Sequence, residues 1–218
     1  VKRFCIVTGG RAVGKAELRE IASMIGKIRE QGLLPCATLG LLKKEELSLL
    51  KDSGLERYHH NLETSVNFFP SVCSTHTYSD KIRTICAAQS VGLSVCAGGI
   101  FGLGESWKDR IEMAFALREL NVDSAPLNFL IPVRGTPLGA TDLLSPFEAL
   151  KIISLYRCIL PDKEVRVCGG RRQVLGEFNS MVFMAGADSL LTGNYLTTTG
   201  TTYEDDLRLI DHYGLEIG

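Results

Sequence analysis

Short apolar runs alternate along the chain with longer amphipathic stretches. Runs of strand character lie near 3–8, 34–39, 57–62, 93–100, 125–132, 165–169 and 188–192. Between them apolar positions recur at helical spacing. In "ELREIASMIGKIREQG", Leu18, Ile21, Ile25 and Ile28 share one face, and Gly32 supplies a stop. "SWKDRIEMAFALREL" opens with Ser106 as an N-cap, and "SPFEALKIISLYR" sets Ser145 before Pro146 at the first helical position.

The strand–helix units recur at roughly 30-residue intervals. Such alternation predicts a parallel sheet with helices outside. Seven units are visible, and an eighth would complete a (β/α)8-type TIM barrel, so we expect an incomplete barrel of that α/β class. Periodicity leaves a doubly wound open sheet as the alternative. "VKRFCIVTGG" starts in mid-strand, at Val1 and not at Met, which implies that upstream sequence and the first unit are missing. No linker or low-complexity segment interrupts the chain, so residues 1–218 read as one domain, truncated at its N-terminus.

Composition narrows the class. Hydrophobic residues at 45% and charged residues at 22% suit a soluble globular chain. The 24 basic residues are scattered and the net charge is −1, which argues against a nucleic-acid partner. Apolar runs such as "LNFLIPV" are far too short to span a bilayer, and no signal peptide is evident. Seven cysteines, an odd and widely spread set, point to a reducing, cytoplasmic setting.

Parallel barrels place their chemistry at the carboxyl ends of the strands. Here those ends carry Cys5, Cys36 in "LPCATLG", "YHHNLETS", Cys96 in "SVCAGGIFGLGES", Asn128, and Cys168 with Arg171 in "VRVCGGRRQ". In "EVRVCGGR" the two-residue alternation turns Val165 and Val167 toward the helices and leaves Arg166 and Cys168 facing inward. Cys86 and Cys158, on helical segments, read as small buried hydrophobes, and Cys73, in a loop, reads the same way. Thiolates converging from separate strands would select zinc or an iron–sulfur cluster, although no C-x₂-C pair is present. "GGIFGLGES" offers bare backbone amides at a strand-to-helix junction, suited to an anion or a closely approaching ligand. Asn61 and Glu63 in "YHHNLETS" can hold a ribose or a urea-like group through paired hydrogen bonds, or else solvate and cap a loop. His76 and His212 look incidental.

The ordered series "RFC", "CATLGLL", "YHHNLETS", "THTY", "CAGGIFGLGE", "NFL…GTPL", "GGR" and "GNYLTT" resembles the biotin synthase family of radical S-adenosylmethionine enzymes over nearly the whole chain. The resemblance implies a βα barrel and insertion of sulfur between two unactivated carbons of dethiobiotin. It implies a 4Fe–4S cluster, whose C-x₃-C-x₂-C loop would lie upstream of this chain; without that loop this stretch alone would be inactive. It also implies a sulfur-donating 2Fe–2S cluster held by Cys5, Cys36, Cys96 and Arg171. Guanidinium is a weak ligand, which suits a cluster that must surrender sulfide. Cys168 stands where the family often has a small or hydroxyl residue and is an alternative fourth ligand. For S-adenosylmethionine the resemblance points to Asn61, Glu63, Gly99, Ile100 and Gly102, with Lys81 where an arginine often meets the methionine carboxylate. For dethiobiotin it points to Asn61 and Asn128. A reducing electron donor and a homodimer complete the implied partners.

Three other readings compete, one of them a non-enzymatic metal-binding module. A related radical enzyme of cluster maturation or amino-acid rearrangement would share the barrel, but the three strand-end cysteines argue against it. A phosphate-binding barrel lyase would use "GGIFGLG" as its anion cradle and leave the cysteines structural.

Overall fold

A computed structural model describes residues 2–194 and 199–217. The chain begins with β1 (Arg3–Val7), α1 (Lys15–Glu30), β2 (Leu34–Thr38), α2 (Lys44–Asp52) and β3 (Arg57–His59). Two helices follow, α3 (Phe69–Val72) and α4 (Tyr78–Ser90), then β4 (Ser94–Cys96), β5 (Gly99–Phe101) and α5 (Trp107–Glu119). The second half holds β6 (Ser124–Phe129), α6 (Pro146–Ile159), β7 (Glu164–Val167), α7 (Arg171–Leu175), β8 (Ser189–Leu190) and α8 (Tyr203–His212). Residues 195–198, the end of the "GNYLTT" motif, lie outside the described residues.

The strands form one sheet in the order β1-β2-β3-β4-β6-β7-β8, with β5 added on β6. Every strand pair is parallel. Among the described residues β1 and β8 are not paired with each other, so the barrel is incomplete, as the unit count predicts. The expected fourth strand is split. A Cβ at Gly98 would collide with the Pro126 carbonyl, and one at Gly99 with the Glu63 carbonyl and the Met113 side chain. Two glycines therefore let β6 and the β3 exit close on this segment, and the ladder breaks between β4 and β5.

Capping residues set the helices as read from sequence. Ser106 accepts from Asp109 N at the start of α5, and Ser145 accepts from Glu148 N ahead of Pro146 in α6. After α1, Gly32 takes φ +75°, the left-handed conformation that ends a helix cheaply only at glycine.

The apolar core lies between sheet and helices. Ala37, Tyr58, Val95, Ala125, Leu127, Val165 and Val167 point outward from the strands and are fully buried against Ile25, Leu47, Ile85, Leu117 and Ile153. The alternating residues face the concave side, which is lined by cysteines and charged groups. Among the described residues no helix is long and apolar enough to cross a membrane.

Candidate active site: a thiol-lined concave wall

Strand register decides which side chains meet. Cys5 of β1 lies opposite Cys36 of β2, and Cys36 opposite Arg57 of β3. His59 lies opposite Cys96 of β4, Cys96 opposite Ser124, and Ser124 opposite Glu164. Pro126 pairs Arg166, which pairs Ser189. With a period of two, Arg57 and His59, Ser94 and Cys96, and Glu164, Arg166 and Cys168 all share this inner face. Cys36, Cys96 and Cys168 are buried there, whereas Cys5, on the edge strand, is exposed.

The thiols are electrically unequal. Cys5 is lowered to about 7, chiefly by a hydrogen bond from Cys36, with His59 and Arg166 assisting against burial. Cys36 is pushed far up by the same bond, so the two share one proton. Burial opposes ionisation of Cys96, yet His59 and Arg166 outweigh it and hold that thiol below its ordinary value. His59 Nδ1 lies 3.3 Å from Cys96 Sγ. Burial disfavours the imidazolium, but Cys96, Cys5 and Glu63 together lift His59 above the usual histidine range.

A carboxylate between two guanidinium groups anchors the wall. Arg57 Nη1 donates to Glu164 Oε2 at 2.6 Å and Arg57 Nε to Ser94 Oγ at 3.1 Å. Arg166 Nη2 donates to Glu164 Oε1 at 2.6 Å, and its Nε reaches Ser189 Oγ at 3.3 Å. Although burial would raise Glu164, Arg166 and Arg57 bring it down to about 2. Two cations against one anion leave a net positive charge beside the thiols.

Arg171 does not join this group, contrary to the sequence expectation. Gly170 takes φ +77° and starts α7, which carries Arg171 away from the concave wall. Arg171 is fully buried; its Nη2 donates to both oxygens of Asp206 at 2.8 and 2.7 Å, and its Nη1 to Asn179 at 3.0 Å. It clamps α7 to α8. The guanidinium whose charge acts on all three of Cys5, Cys36 and Cys96 is that of Arg166, with Arg3 adding to it at Cys5. Cys168 does face inward, but burial raises its thiol strongly and favours the protonated form.

The strand exits form a second cluster at the rim. Asn61 Oδ1 accepts from Gly98 N at 3.1 Å. Leu62 N and Glu63 N both donate to the Gly98 carbonyl, and Ile100 N donates to the Glu63 carbonyl at 2.9 Å. Glu63 adopts φ +74°, a strained conformation for a residue with a side chain. Its carboxylate meets Lys81 Nζ of α4 at 3.2 Å. Asn128 donates to the Gly99 carbonyl at 3.2 Å and accepts from Gly169 N at 3.0 Å, tying β5 to the β7 exit. Each of these bonds uses part of the amide's capacity and leaves further donor and acceptor sites for a ligand. Gly102 takes φ +93°, and its N–H donates to the buried Glu105 carboxylate, which Arg110 Nε also holds at 2.7 Å. The expected residues Asn61, Glu63, Lys81, Gly99, Ile100 and Asn128 are thus joined through one hydrogen-bonded network, while Gly102 belongs to the adjoining Glu105–Arg110 cluster.

Alternation in "EVRVCGGR" turns Arg166 inward without marking it as part of the site, and the strand register adds His59. Arg57, Glu164 and Glu105 become visible only through contacts across 107, 37 or 5 residues. Cys86 and Cys158 sit on helices as expected, but both are exposed, not buried. Cys73 is partly buried and lies 3.4 Å from His76 Nδ1, so that histidine has a specific neighbour.

The donor set suits a cluster better than a lone ion. Among the described residues no three His, Cys, Asp or Glu side chains converge tightly enough for one metal ion. A core with two irons distributes its ligands over separate metals, and soft thiolates are its natural donors. Three thiols on one wall, two ionised more readily than usual and all facing positive charge, fit that group. Such a cluster, when bound, would supply sulfide and a redox-active iron pair.

Comparisons with known proteins agree with this architecture. Residues 1–117 match the Radical SAM superfamily, and residues 126–216 match the Biotin and Thiamin Synthesis associated domain. The biotin synthase of Thermodesulfovibrio yellowstonii is 56% identical over 217 residues, covering 100% of this chain and 68% of that protein. That of Pelobacter propionicus is 51% identical, covering 99% and 66%. The chain therefore spans about two thirds of the length of these curated relatives. Among solved structures, methylornithine synthase superposes with a TM-score of 0.80 at 19% identity, covering 93% of this chain and 64% of that one. A maturase of the [FeFe]-hydrogenase gives 0.80 at 16% identity, covering 98% and 52%. These likenesses show the barrel fold alone, whereas sequence identity above one half reaches further and sets aside the phosphate-lyase alternative. The chain belongs to the biotin synthase family of radical S-adenosylmethionine enzymes.

Proposed function

We propose that the chain serves the conversion of dethiobiotin to biotin by radical insertion of sulfur, with S-adenosylmethionine and two iron–sulfur clusters as cofactors. The observation that carries this reading is the placement of Cys5, Cys36 and Cys96 on one inner wall beneath the Asn61–Glu63–Gly99 rim. On this reading the three cysteines hold an auxiliary 2Fe–2S cluster, with Arg166 in place of Arg171 as the nearby guanidinium. Cys168 is the alternative fourth ligand. No residue of this chain is proposed as a ligand of the 4Fe–4S cluster.

The remaining residues bind and orient. Glu63 and Asn61 take the ribose of S-adenosylmethionine, Gly99, Ile100 and Gly102 line the adenine, and Lys81 meets the methionine carboxylate. Asn61 and Asn128 present amide groups to the ureido ring of dethiobiotin, whose donors and acceptors they complement. Radical chemistry on an alkyl carbon demands short, fixed distances and exclusion of solvent, and a walled barrel interior provides both. A low-potential electron donor, a homodimer, a single barrel domain and a cytoplasmic setting complete the proposal.

The test is anaerobic purification of the full-length protein with iron and sulfide analysis. Wild type should carry two clusters, and Cys36→Ala should lose inner-site iron and sulfide while the other cluster stays. Unaltered inner-site content in Cys36→Ala would overturn the ligand assignment.

A further inference from the structure

Two consecutive histidines end and follow β3, and they go to opposite sides of the sheet. His60 is buried on the outer face, stacked on Tyr58. His59 turns inward, in register with Cys96, with Nδ1 3.3 Å from Cys96 Sγ. Cys96 is wholly buried, so its sulfur depends on protein donors. The Ser124 hydroxyl in the adjacent register position is also wholly buried and adds a weaker interaction that helps lower the same thiol. His59, at 3.3 Å, is the stronger of the two side-chain partners of this sulfur.

A ring nitrogen at this distance can accept from a thiol or donate to a thiolate. Sulfur bound to iron is a thiolate and has no proton to give. Only the arrangement with Nδ1–H directed at Sγ then survives. That donor exists in the Nδ1–H tautomer and in the imidazolium alike, so the contact does not depend on the charge of the ring.

We infer that His59 donates a hydrogen bond through Nδ1 to the Cys96 thiolate and thereby sets how readily the auxiliary cluster accepts an electron. The inference rests on the cluster reading proposed above. A hydrogen bond to a ligand sulfur withdraws negative charge from the iron core and favours its reduced state. His59 touches the ligand and not the iron, and so acts as a positioning residue.

The experiment uses the full-length protein loaded anaerobically, as wild type, His59→Leu and His59→Gln. Leucine fills the space without a donor, and glutamine restores one. Iron and sulfide content, the midpoint potential of the auxiliary cluster and its Fe–S(Cys) vibrations by resonance Raman are read together. The expected result is wild-type loading in both variants, a more negative potential with shifted Fe–S(Cys) bands in His59→Leu, and a return toward wild type in His59→Gln. A loaded His59→Leu with unmoved potential and bands overturns the inference while the cluster reading stands. Loss of inner-site iron from both variants overturns it too, because His59 would then be a structural necessity. Wild type without inner-site iron overturns both.

Discussion

Lys81 Nζ and Glu63 Oε1 lie 3.2 Å apart, and the lysine is only 7% exposed. The pair is neutral as it stands, so a ligand carboxylate proposed at Lys81 would compete with Glu63 for the ammonium.

Lys81→Met should weaken S-adenosylmethionine binding roughly tenfold to a hundredfold, the worth of a hydrogen bond to a charged group. Lys81→Arg should stay within a few-fold of wild type, because the charge is kept. Equilibrium dialysis with labelled ligand decides it; wild-type affinity in Lys81→Met would place the lysine outside the binding site.

The left-handed backbone of Glu63 gives a second check. At φ +74° an L side chain costs about 1 kcal/mol relative to glycine. Glu63→Gly should accordingly exceed Glu63→Ala in unfolding free energy by about 1 kcal/mol, while both lose ligand affinity. Denaturant titration of the pair reads the difference, and equal stabilities would mean that the conformation carries no strain.

Arg171 and Arg166 should separate stability from metal chemistry. Arg171→Met strands Asp206, which is 4% exposed, and should cost about 3–5 kcal/mol. Arg166→Met leaves Glu164 paired with Arg57, so unfolding shifts less, but the spectrum of the inner cluster should change. If Arg171→Met altered the cluster spectrum in a stably folded protein and Arg166→Met did not, the assignment of the two arginines would reverse.

His60 should tie stability to pH. Burial first, then the positive charges of Lys81, His59 and His76, lower it to about 3. The folded chain thus keeps this ring neutral where the unfolded chain, near 6.5, takes up a proton. Stability is therefore full above about 6.5 and is lost as pH falls toward 3, by about 2 kcal/mol at pH 5. Denaturant midpoints across this range should show the slope in wild type and a flatter one in His60→Phe.

Much of this architecture was legible in the sequence, because strands announce their faces by alternation. The valines of "EVRVCGGR" gave the orientation of Arg166 and Cys168 correctly, and repeated cysteines at strand exits marked one wall. The position of Arg171 away from the thiol wall has a local cause. It stands beside two glycines that look like a ligand-binding turn, but Gly170 uses its positive φ to redirect the chain into α7. The partner that captures the guanidinium, Asp206, lies 35 residues on, at no spacing that a pattern could reveal. Helical periodicity likewise placed Cys86 and Cys158 on helices without showing which side met water.

The separation of apolar mass behind the sheet from polar groups in front of it has a consequence for divergence. Exchanging an inward side chain for another of similar size alters reactivity and leaves the apolar packing behind the sheet untouched. A lineage built on this plan can try new cofactors and substrates through a handful of inward positions while its scaffold stays intact.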